Sequence, residues 1–342
     1  MTPQRFDHIT AEFERLRLAV VGDFCLDRYL EIDPAKAEIS IETGLPVHNV
    51  VRVRSQPGAA GTILNNLVAL GVGEILPVGF CGTDGEGYEL LTALKAMRDV
   101  QVGHFLQTPE RRTFTYCKPL VLAPGQPPCE LSRLDSKNWS PTPASVRRVL
   151  NNSFEETAER AHAVILMDQV DLADTGVVTV DLLDAIRRKA AARPELLMLA
   201  DSRRSLKNWP PVALKMNERE LAALTGQPMS GLPSILAAAA TLARQNVRPV
   251  FITLAERGIV GAEASGLAEH VPAFPVRGEI DIVGAGDAVT ANLTPALAAG
   301  ATLREALELA MAAASIVIHQ LGTTGTATVV ELRALLFPEG GE

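Results

Sequence analysis

Hydrophobic and polar positions alternate along the chain in blocks that predict strands and helices in turn. Residues 18–21 are apolar without interruption, which is typical of a strand that a parallel sheet buries on both faces. Strands that alternate with helices of ordinary length predict a parallel sheet covered by helices on both sides. From about residue 145 this alternation is regular, with predicted helices at 145–160, 177–192 and 233–245 that precede apolar strands at 163–167, 196–200 and 249–254.

The N-terminal half follows a similar order. A short predicted helix at 7–17 leads into the first strand. Residues 57–71 are predicted to form a glycine-rich turn and a helix that ends at Gly71, and a strand at 74–82 and a helix at 86–97 follow. This half therefore predicts further layers of the same α/β core.

Two segments interrupt this core and are predicted to be β-rich. Residues 30–56 alternate β-branched and polar side chains, which favours exposed antiparallel strands, and residues 112–134 predict a ribbon with a proline- and glycine-rich turn. Excursions from one edge of a sheet often form a lid over a site. The sequence has no internal repeat and no linker, so we expect a single domain over residues 1–342 with a lid built from these two segments.

The composition argues against several classes of function. The chain has 342 residues, a net charge of −8 and no basic block, which disfavours a nucleic-acid partner. Its apolar stretches are shorter than the roughly 20 residues that span a bilayer, so we expect no membrane association. The first residues are polar and charged, unlike a secretory signal, and the four cysteines form no CxxC pair. We therefore expect a cytoplasmic protein with unreactive thiols.

The most informative segment is residues 281–287, with the sequence DIVGAGD, which precedes a helical run. Small residues at Gly284, Ala285 and Gly286 let the backbone turn tightly and gather its N–H groups at the positive end of the helix. Such groups bind the negative charge of a phosphoryl group. Asp287 stands beside them and can accept a proton from an attacking hydroxyl as a general base. Taken alone, the segment is equally compatible with a simple turn and a helix cap.

Two further segments are compatible with a nucleotide site. Asn217 and Glu220 open a helix three residues apart and suit Mg²⁺ bound through water, although a helix cap is the commoner origin of such a pair. Thr253 and Gly258 follow an apolar strand, and they either contact phosphate or form a β-turn. The sequence contains neither GxGxxG nor GxxxxGK[ST], which argues against a dinucleotide-binding fold and a Walker-type ATPase. Asp27, after the first strand, is either a ligand for sugar hydroxyls or a surface acid.

The order of these segments resembles the ribokinase or PfkB family of carbohydrate kinases. The resemblance covers about residues 18–335, and GAGD is its specific motif. It implies a ribokinase-like three-layer α/β/α sandwich with a mostly parallel central sheet and a small β-sheet lid. Within the family, GDFCLDRY, ELSRLD and HQLGTTGTATVVEL are similar to the branch that phosphorylates heptose 7-phosphate. The six segments in the family's order are GDFCLD, PGAAGTILNNLVALG, VGFCGTDGEG, NERE, TLAERG and VGAGD.

The resemblance also implies a function and a role for each candidate residue. The enzyme would phosphorylate a hydroxyl of a sugar or sugar phosphate with ATP and Mg²⁺, and several members of the family also use K⁺. The lid often mediates dimerisation in the family, which implies a homodimer. The implied roles are catalytic base for Asp287, anion hole for Gly284, Ala285 and Gly286, Mg²⁺ and nucleotide binding for Asn217 and Glu220, nucleotide binding for Thr253 and Gly258, substrate binding for Asp27, Gly58, Ala59, Thr62 and Arg133, and support of a monovalent cation for Asp281.

The chain departs from the family pattern at five positions. Ala59 and Ala255 stand where glycine is usual, and Thr62 stands where an asparagine is expected. Val283 replaces a threonine before GAGD, and Met311 replaces an asparagine that commonly borders the adenine. These changes leave two alternatives to a sugar kinase open: a non-catalytic nucleotide- or sugar-binding homologue, and a kinase whose acceptor is a nucleoside.

Overall fold

The first strand, Arg17–Gly22 (β1), lies near the middle of a large sheet because its side chains are buried on both faces. Leu18 and Val20 pack into the hydrophobic core on one face of the sheet. Ala19 and Val21 pack into a second core on the other face. A strand with two apolar faces is stable only when helices cover the sheet on both sides.

The structure, a computed structural model, describes residues 1–338, and in this range the central sheet has nine strands. At one edge, Ile259–Ala262 pairs antiparallel with both Val250–Thr253 and Ala268–Val271, and the other pairs of neighbouring strands are parallel. Parallel strands bring their carboxyl ends to one edge, where open α/β sheets bind ligands. In spatial order the strands are β16 (Ala268–Val271), β15 (Ile259–Ala262), β14 (Val250–Thr253), β13 (Ala213–Asn217), β12 (Leu197–Ser202), β11 (Ala163–Asp168), β1, β6 (Glu74–Gly82) and β7 (Phe105–Thr108).

Helices cover both faces of this sheet, which confirms the predicted α/β layering. No helix in the described part of the chain is long and apolar enough to cross a membrane. One face carries α1 (Pro3–Ala11), α2 (Ala60–Ala69), α3 (Gly85–Ala96), α8 (Ala285–Ala298), α9 (Leu303–Ile318) and α10 (Val329–Leu336). The other face carries α4 (Ala144–Arg160), α5 (Val180–Ala192), α6 (Glu218–Thr225) and α7 (Leu232–Asn246).

A second, smaller sheet stands beside the carboxyl end of β1. Residues 30–56 and 112–134, which are predicted to be β-rich, both contribute strands to it. A separate hairpin pairs β3 (Glu38–Ile39) with β4 (Pro46–Val47). The order of the second sheet is β10 (Leu134–Ser136), β8 (Phe114–Val121), β2 (Phe24–Ile32) and β5 (Val50–Ala59), with β9 (Cys129–Glu130) paired to β8.

The structure differs from the predicted bounds of two N-terminal elements. The first helix begins earlier than predicted, at Pro3, because the Thr2 hydroxyl accepts a hydrogen bond from a backbone N–H of the first turn at 3.2 Å. Strand β5 continues to Ala59, where the sequence predicts a turn. The strand persists because Gly58 lies opposite Cys25 in the pairing of β5 with β2.

Candidate active site

Helix α8 begins at the segment of small residues that the sequence analysis singles out. Gly284 precedes the helix with a φ of +85°, a left-handed conformation that glycine adopts without steric cost. The N–H of Ala285 donates to the Ile282 carbonyl at 3.2 Å, so this amide serves the turn and is not part of an anion hole. The N–H groups of Gly286 and Asp287 have no acceptor among the described residues. They face outward at the positive end of α8, where an anion is stabilised.

Asp287 lies half-buried in the first turn of α8. Burial and the negative charge of Asp201 raise the pKa of its carboxyl from 3.8 to about 7. The positive charges of Lys215 and Arg203 act against this increase, and the charge of Asp27 adds to it. A carboxyl group with a pKa near neutrality suits a general base that takes up a proton during each turnover.

An ion pair between Asp201 and Lys215 lies beside Asp287, and the sequence analysis did not find it. Lys215 Nζ lies 2.7 Å from Asp201 Oδ2, and the lysine side chain is buried. The two residues are neighbours across β12 and β13, which brings them together. A Cβ atom on Gly286 would lie 3.0 Å from Lys215 Nζ, so the ammonium group reaches the first turn of α8. The signal in the sequence is a lysine within an apolar strand, two residues before Asn217.

Asp27 lies on β2 and is buried beside the lid segments. Lys118 Nζ lies 3.7 Å from its Oδ1. Burial raises the pKa of the Asp27 carboxyl, and the positive charges of Lys118 and Arg133 oppose this increase. A Cβ atom on Gly58 would lie 2.4 Å from Asp27 Oδ2, so a side chain at this position would displace the Asp27 carboxylate. Asp27 and Gly58 are therefore adjacent, as the implied substrate site requires.

Ala59 and Thr62, the two departures from the family pattern that follow Gly58, have different structural consequences. Ala59 has a φ of +54°, and Ala255, the other alanine in place of a glycine, has a φ of +52°. Both alanines therefore adopt a conformation that favours glycine. Thr62 is 1% exposed and its methyl group packs under the turn at Gly284, because α2 packs against α8. This burial contradicts the predicted role of Thr62 as a direct contact for the substrate.

Asn217 and Thr253 lie side by side at the carboxyl ends of β13 and β14. Asn217 Oδ1 accepts a hydrogen bond from the Glu220 N–H at 2.9 Å, and Glu220 Oε2 accepts one from the Asn217 N–H at 2.8 Å. This reciprocal capping box accounts for both residue types without a ligand. The described residues contain no group of three His, Cys, Asp or Glu side chains that could hold a metal. Mg²⁺ sites in kinases need only one or two carboxylates beside phosphates and water, and Glu220 Oε1, outside the capping box, fits that need.

Gly258 and Asp281 have local structural partners. Gly258 has a φ of +97°, and a Cβ atom there would lie 2.1 Å from the Val271 carbonyl oxygen, so the turn itself requires glycine. Asp281 Oδ1 accepts a hydrogen bond from the Val283 N–H at 3.0 Å, and the Asp281 N–H donates to the Ile318 carbonyl at 2.8 Å. These contacts leave Asp281 Oδ2 unused, which is compatible with the predicted cation site.

Arg133 already has an acidic partner. Its Nε lies 3.1 Å from Asp135 Oδ1 and its Nη2 lies 2.6 Å from Asp135 Oδ2. The guanidinium group also lies over the ring of Tyr116, 5.0 Å from the ring centroid. A substrate phosphate would have to compete with the Asp135 carboxylate for this arginine.

The arrangement of Asp287 at the mouth of α8, Asp27 beside Gly58, and Asn217 beside Thr253 at two strand ends agrees with a match to a known family. The model of the pfkB family carbohydrate kinase matches residues 17–329. The chain is a pfkB family carbohydrate kinase. The predicted family is thus confirmed.

Two curated relatives show how much of a longer protein this pfkB kinase covers. The bifunctional protein HldE of Azorhizobium caulinodans is 32% identical over 329 residues, which cover 95% of this chain and 65% of that protein. The bifunctional protein HldE of Pelobacter propionicus is 32% identical over 335 residues, which cover 96% of this chain and 65% of that protein. The chain therefore spans about 65% of the length of these two relatives.

Solved structures with the same fold confirm the predicted ribokinase-like architecture of the pfkB kinase. Arabidopsis thaliana ribokinase in complex with ribose and ATP has a TM-score of 0.67 and 20% identity, covering 94% of this chain and 99% of that one. Phosphofructokinase-2 from Escherichia coli in complex with potassium has a TM-score of 0.71 and 18% identity, covering 94% of this chain and 98% of that one. At these identities the likeness concerns the fold.

Proposed function

We propose that this pfkB kinase phosphorylates a hydroxyl of a sugar phosphate, with heptose 7-phosphate as the first candidate acceptor and Asp287 as the general base. The observation that carries the proposal is the position of Asp287, whose pKa is raised to about 7, beside two unpaired backbone N–H groups at the mouth of α8. Support for the acceptor comes from the similarity of GDFCLDRY, ELSRLD and HQLGTTGTATVVEL to the heptose 7-phosphate branch.

Asp287 provides the proton acceptor in the proposed reaction. The acceptor hydroxyl lies between the Asp287 carboxylate and the γ-phosphate of ATP. The carboxylate takes the hydroxyl proton as the oxygen attacks phosphorus, and the bond from phosphorus to the bridging oxygen of ADP breaks. Because burial and Asp201 raise the proton affinity of Asp287, the carboxylate is a stronger base than an exposed aspartate.

The charge that develops on the phosphoryl oxygens is stabilised by main-chain and side-chain donors. The N–H groups of Gly286 and Asp287 supply preorganised dipoles. The Lys215 ammonium group adds a full positive charge next to that turn, since its Nζ would lie 3.0 Å from a Cβ atom on Gly286. Mg²⁺, held at Glu220 and the ATP phosphates, would neutralise phosphate charge when bound. Asn217 and Thr253, side by side, would line the nucleotide site, with Gly258 shaping the adjoining turn.

A monovalent cation near the helix mouth is part of the proposal. Asp281 lies three residues before Gly284, and its Oδ2 is not used by the local turn. A K⁺ ion beside it would reinforce the positive potential at the start of α8 through the backbone. The residues fit such an ion, and K⁺ dependence of turnover is the corresponding measurement.

The second sheet provides the acceptor site and the lid of the proposed enzyme. Asp27 on β2 lies beside Gly58 on β5, where the carboxylate can bind sugar hydroxyls. The segments 30–56 and 112–134 would close over the sugar and exclude water, which otherwise competes as phosphoryl acceptor. Since ATP is the donor, we expect the enzyme to work in the cytoplasm.

The lid is also the proposed dimer interface. Its edge carries large apolar side chains that are exposed in the single chain, among them Ile39, Ile41, Leu45 and Val51. Ile41 is fully exposed and Leu45 is 64% exposed, which is unusual for side chains of this size in one neighbourhood. A second copy of the chain that packs against this edge would bury them.

The experiment that tests the function is ADP release with ATP, Mg²⁺ and K⁺ across sugars, sugar phosphates and nucleosides. The proposal predicts the highest kcat/KM for a sugar phosphate and the appearance of a second phosphate on that acceptor by mass spectrometry. Preferential turnover of a nucleoside would refute the proposed acceptor class and identify the protein as a nucleoside kinase. Nucleotide binding without phosphorylation of any member of the panel would refute catalysis.

A further inference from the structure

Arg203 lies at the edge of the active site, directly after the end of β12. Its backbone N–H donates to the Asp168 carbonyl at 2.9 Å, which fixes the main chain at the carboxyl end of the central sheet. The side chain is exposed. Arg203 therefore stands on a rigid strand end where open α/β sheets bind their ligands, and the mechanism above gives it no role.

The guanidinium group of Arg203 is oriented by a neutral partner. With the amide of Gln169 placed so that its oxygen faces the arginine, this oxygen accepts hydrogen bonds from Arg203 Nη2 at 2.9 Å and Nε at 3.0 Å. A guanidinium group has five N–H donors, so about three remain for another ligand. The amide contact holds the group in place without neutralising its positive charge.

Arg203 differs in this respect from the other cationic side chains around the cleft. Each of those has a carboxylate within ion-pair distance, whereas Arg203 has none among the described residues. An arginine without an acidic partner is ready to bind an incoming anion, because no existing ion pair has to break. The paired cations and their partners are Lys118 with Asp27, Arg133 with Asp135, Lys137 with Asp171, Arg204 with Asp168, and Lys215 with Asp201.

The surroundings of Arg203 place it on the acceptor side of the site. Burial raises the pKa of Asp287, Cys25 and Tyr116, and the positive charge of Arg203 acts against this increase at all three. Cys25 lies on β2, the strand that carries Asp27, and Tyr116 lies opposite Asp27 on β8 of the second sheet. Arg203 is therefore close to both the proposed catalytic base and the second sheet.

A cleft adjoins this position. It is lined by polar and aromatic groups that include Cys25, Tyr116, Trp139 and Gln169, the residue that orients Arg203. Lys137 also lines the cleft and lies over the Tyr116 ring, 5.8 Å from its centroid. The same cleft is lined by Asp23 and by Asp171, which is paired with Lys137, so an anion bound there would depend on Arg203 for its positive charge.

We propose that Arg203 binds the phosphate group that the acceptor sugar already carries, with the cleft beside Gln169 and Tyr116 receiving that end of the molecule. The inference rests on the proposed function, since it requires a phosphorylated acceptor. A forked contact from Arg203 to two phosphate oxygens selects a sugar phosphate over the free sugar. Arg203 thus replaces Arg133, which is held by Asp135, as the specificity-determining residue for the acceptor.

The test compares Arg203→Gln and Arg203→Lys with the wild-type enzyme. Binding is measured by titration calorimetry, and turnover by ADP release, for pentose 5-, hexose 6- and heptose 7-phosphates and for each free sugar. We expect Arg203→Gln to weaken binding of the preferred sugar phosphate about 10- to 100-fold, as for loss of a charge-assisted contact. We expect Arg203→Lys to recover part of this loss and the KM for ATP to stay within about twofold. Arg187→Gln, on the exposed side of α5, is the matched control that leaves both properties unchanged.

The possible outcomes separate this inference from the proposed function. Binding of a sugar phosphate that depends on Arg203, without ADP release, would support the inference and refute the function. Turnover of free sugars by a wild-type enzyme that binds no sugar phosphate would overturn the inference and leave the kinase activity. An Arg203→Gln variant that loses ATP affinity with every acceptor would place the arginine on the donor phosphate instead. Unchanged affinity of Arg203→Gln for the sugar phosphate would also overturn the inference. So would an Arg133→Gln variant that loses as much affinity for the sugar phosphate as Arg203→Gln does.

Discussion

The pH dependence of phosphoryl transfer follows from the environment of Asp287. The pKa of its carboxyl is raised from 3.8 to about 7. Only the ionised carboxylate accepts the proton of the substrate, so kcat/KM for the acceptor rises with pH and levels off above neutrality. One pH unit below the pKa, about a tenth of the molecules carry the ionised group, so we expect about a tenth of the plateau value at pH 6.

Two substitutions in the ion pair beside Asp287 should move this profile in opposite directions. Asp201→Asn removes a negative charge that raises the pKa of Asp287, so the rise in kcat/KM moves to lower pH. Lys215→Met removes a positive charge that lowers the same pKa, so the rise moves to higher pH. The plateau of Lys215→Met should also fall, because the ammonium group stabilises the transferring phosphoryl group.

Folding has to be checked separately because the pair is largely removed from water. Lys215 and Asp201 are 8% and 13% exposed, and loss of one partner from a buried pair costs about 3 to 5 kcal/mol. The double variant Asp201→Asn with Lys215→Met leaves no unpaired charge and should recover most of this stability. Its pH profile should lie nearer to the wild type than that of either single variant.

The assay is kcat/KM for the acceptor between pH 5.5 and 9, with ADP release as the readout and circular dichroism as the check on folding. Asp184→Asn, an exposed carboxylate on α5, serves as the control and should leave the profile unchanged. A wild-type profile that is flat down to pH 5.5 would refute the raised pKa. Shifts of the two single variants in the same direction would refute the electrostatic coupling between the pair and Asp287.

Four further substitutions test the structure around the site. Between about pH 4 and pH 7, the folded protein retains a proton on Asp287 that the unfolded chain releases, so wild-type stability falls as the pH rises through this range. The Asp287→Asn variant should therefore melt at a higher temperature than wild type at pH 8. This difference in melting temperature should shrink as the pH is lowered. Ala59→Gly and Ala255→Gly should each raise the free energy of unfolding by about 1 kcal/mol in urea titrations, since both positions have positive φ. Gly58→Ala should raise the KM for the acceptor about tenfold and leave the KM for ATP unchanged, because the added methyl group displaces the Asp27 carboxylate.

The sequence predicts the core of the fold because its signals are local. The apolar run at 18–21 and the helix–strand alternation after residue 145 specify a parallel sheet covered on both faces, as observed. The turn at Gly284 and the acid at Asp287 are predicted for a similar reason, since small residues followed by an acid at a helix start are visible in one segment.

The sequence fails where the site depends on contacts between distant segments. Asp201 and Lys215 meet only through the pairing of β12 with β13, so neither residue alone indicates an ion pair beside Asp287. Thr62 illustrates the opposite error: a polar residue in the expected region proves to be buried under Gly284, because helix packing determines its exposure. No local sequence pattern indicates a role for Arg203. That it is available to bind an anion is visible only once the partners of the neighbouring side chains are known.

The central claim is that the Asp287 carboxylate takes the proton of the acceptor hydroxyl at the mouth of α8. Single-turnover phosphoryl transfer by Asp287→Asn, with ATP binding measured in parallel, tests it most directly. We expect ATP affinity within about twofold of wild type and a rate of transfer reduced about 100- to 10,000-fold, the usual contribution of a general base. Transfer at close to the wild-type rate by a folded, ATP-binding Asp287→Asn variant would contradict the account.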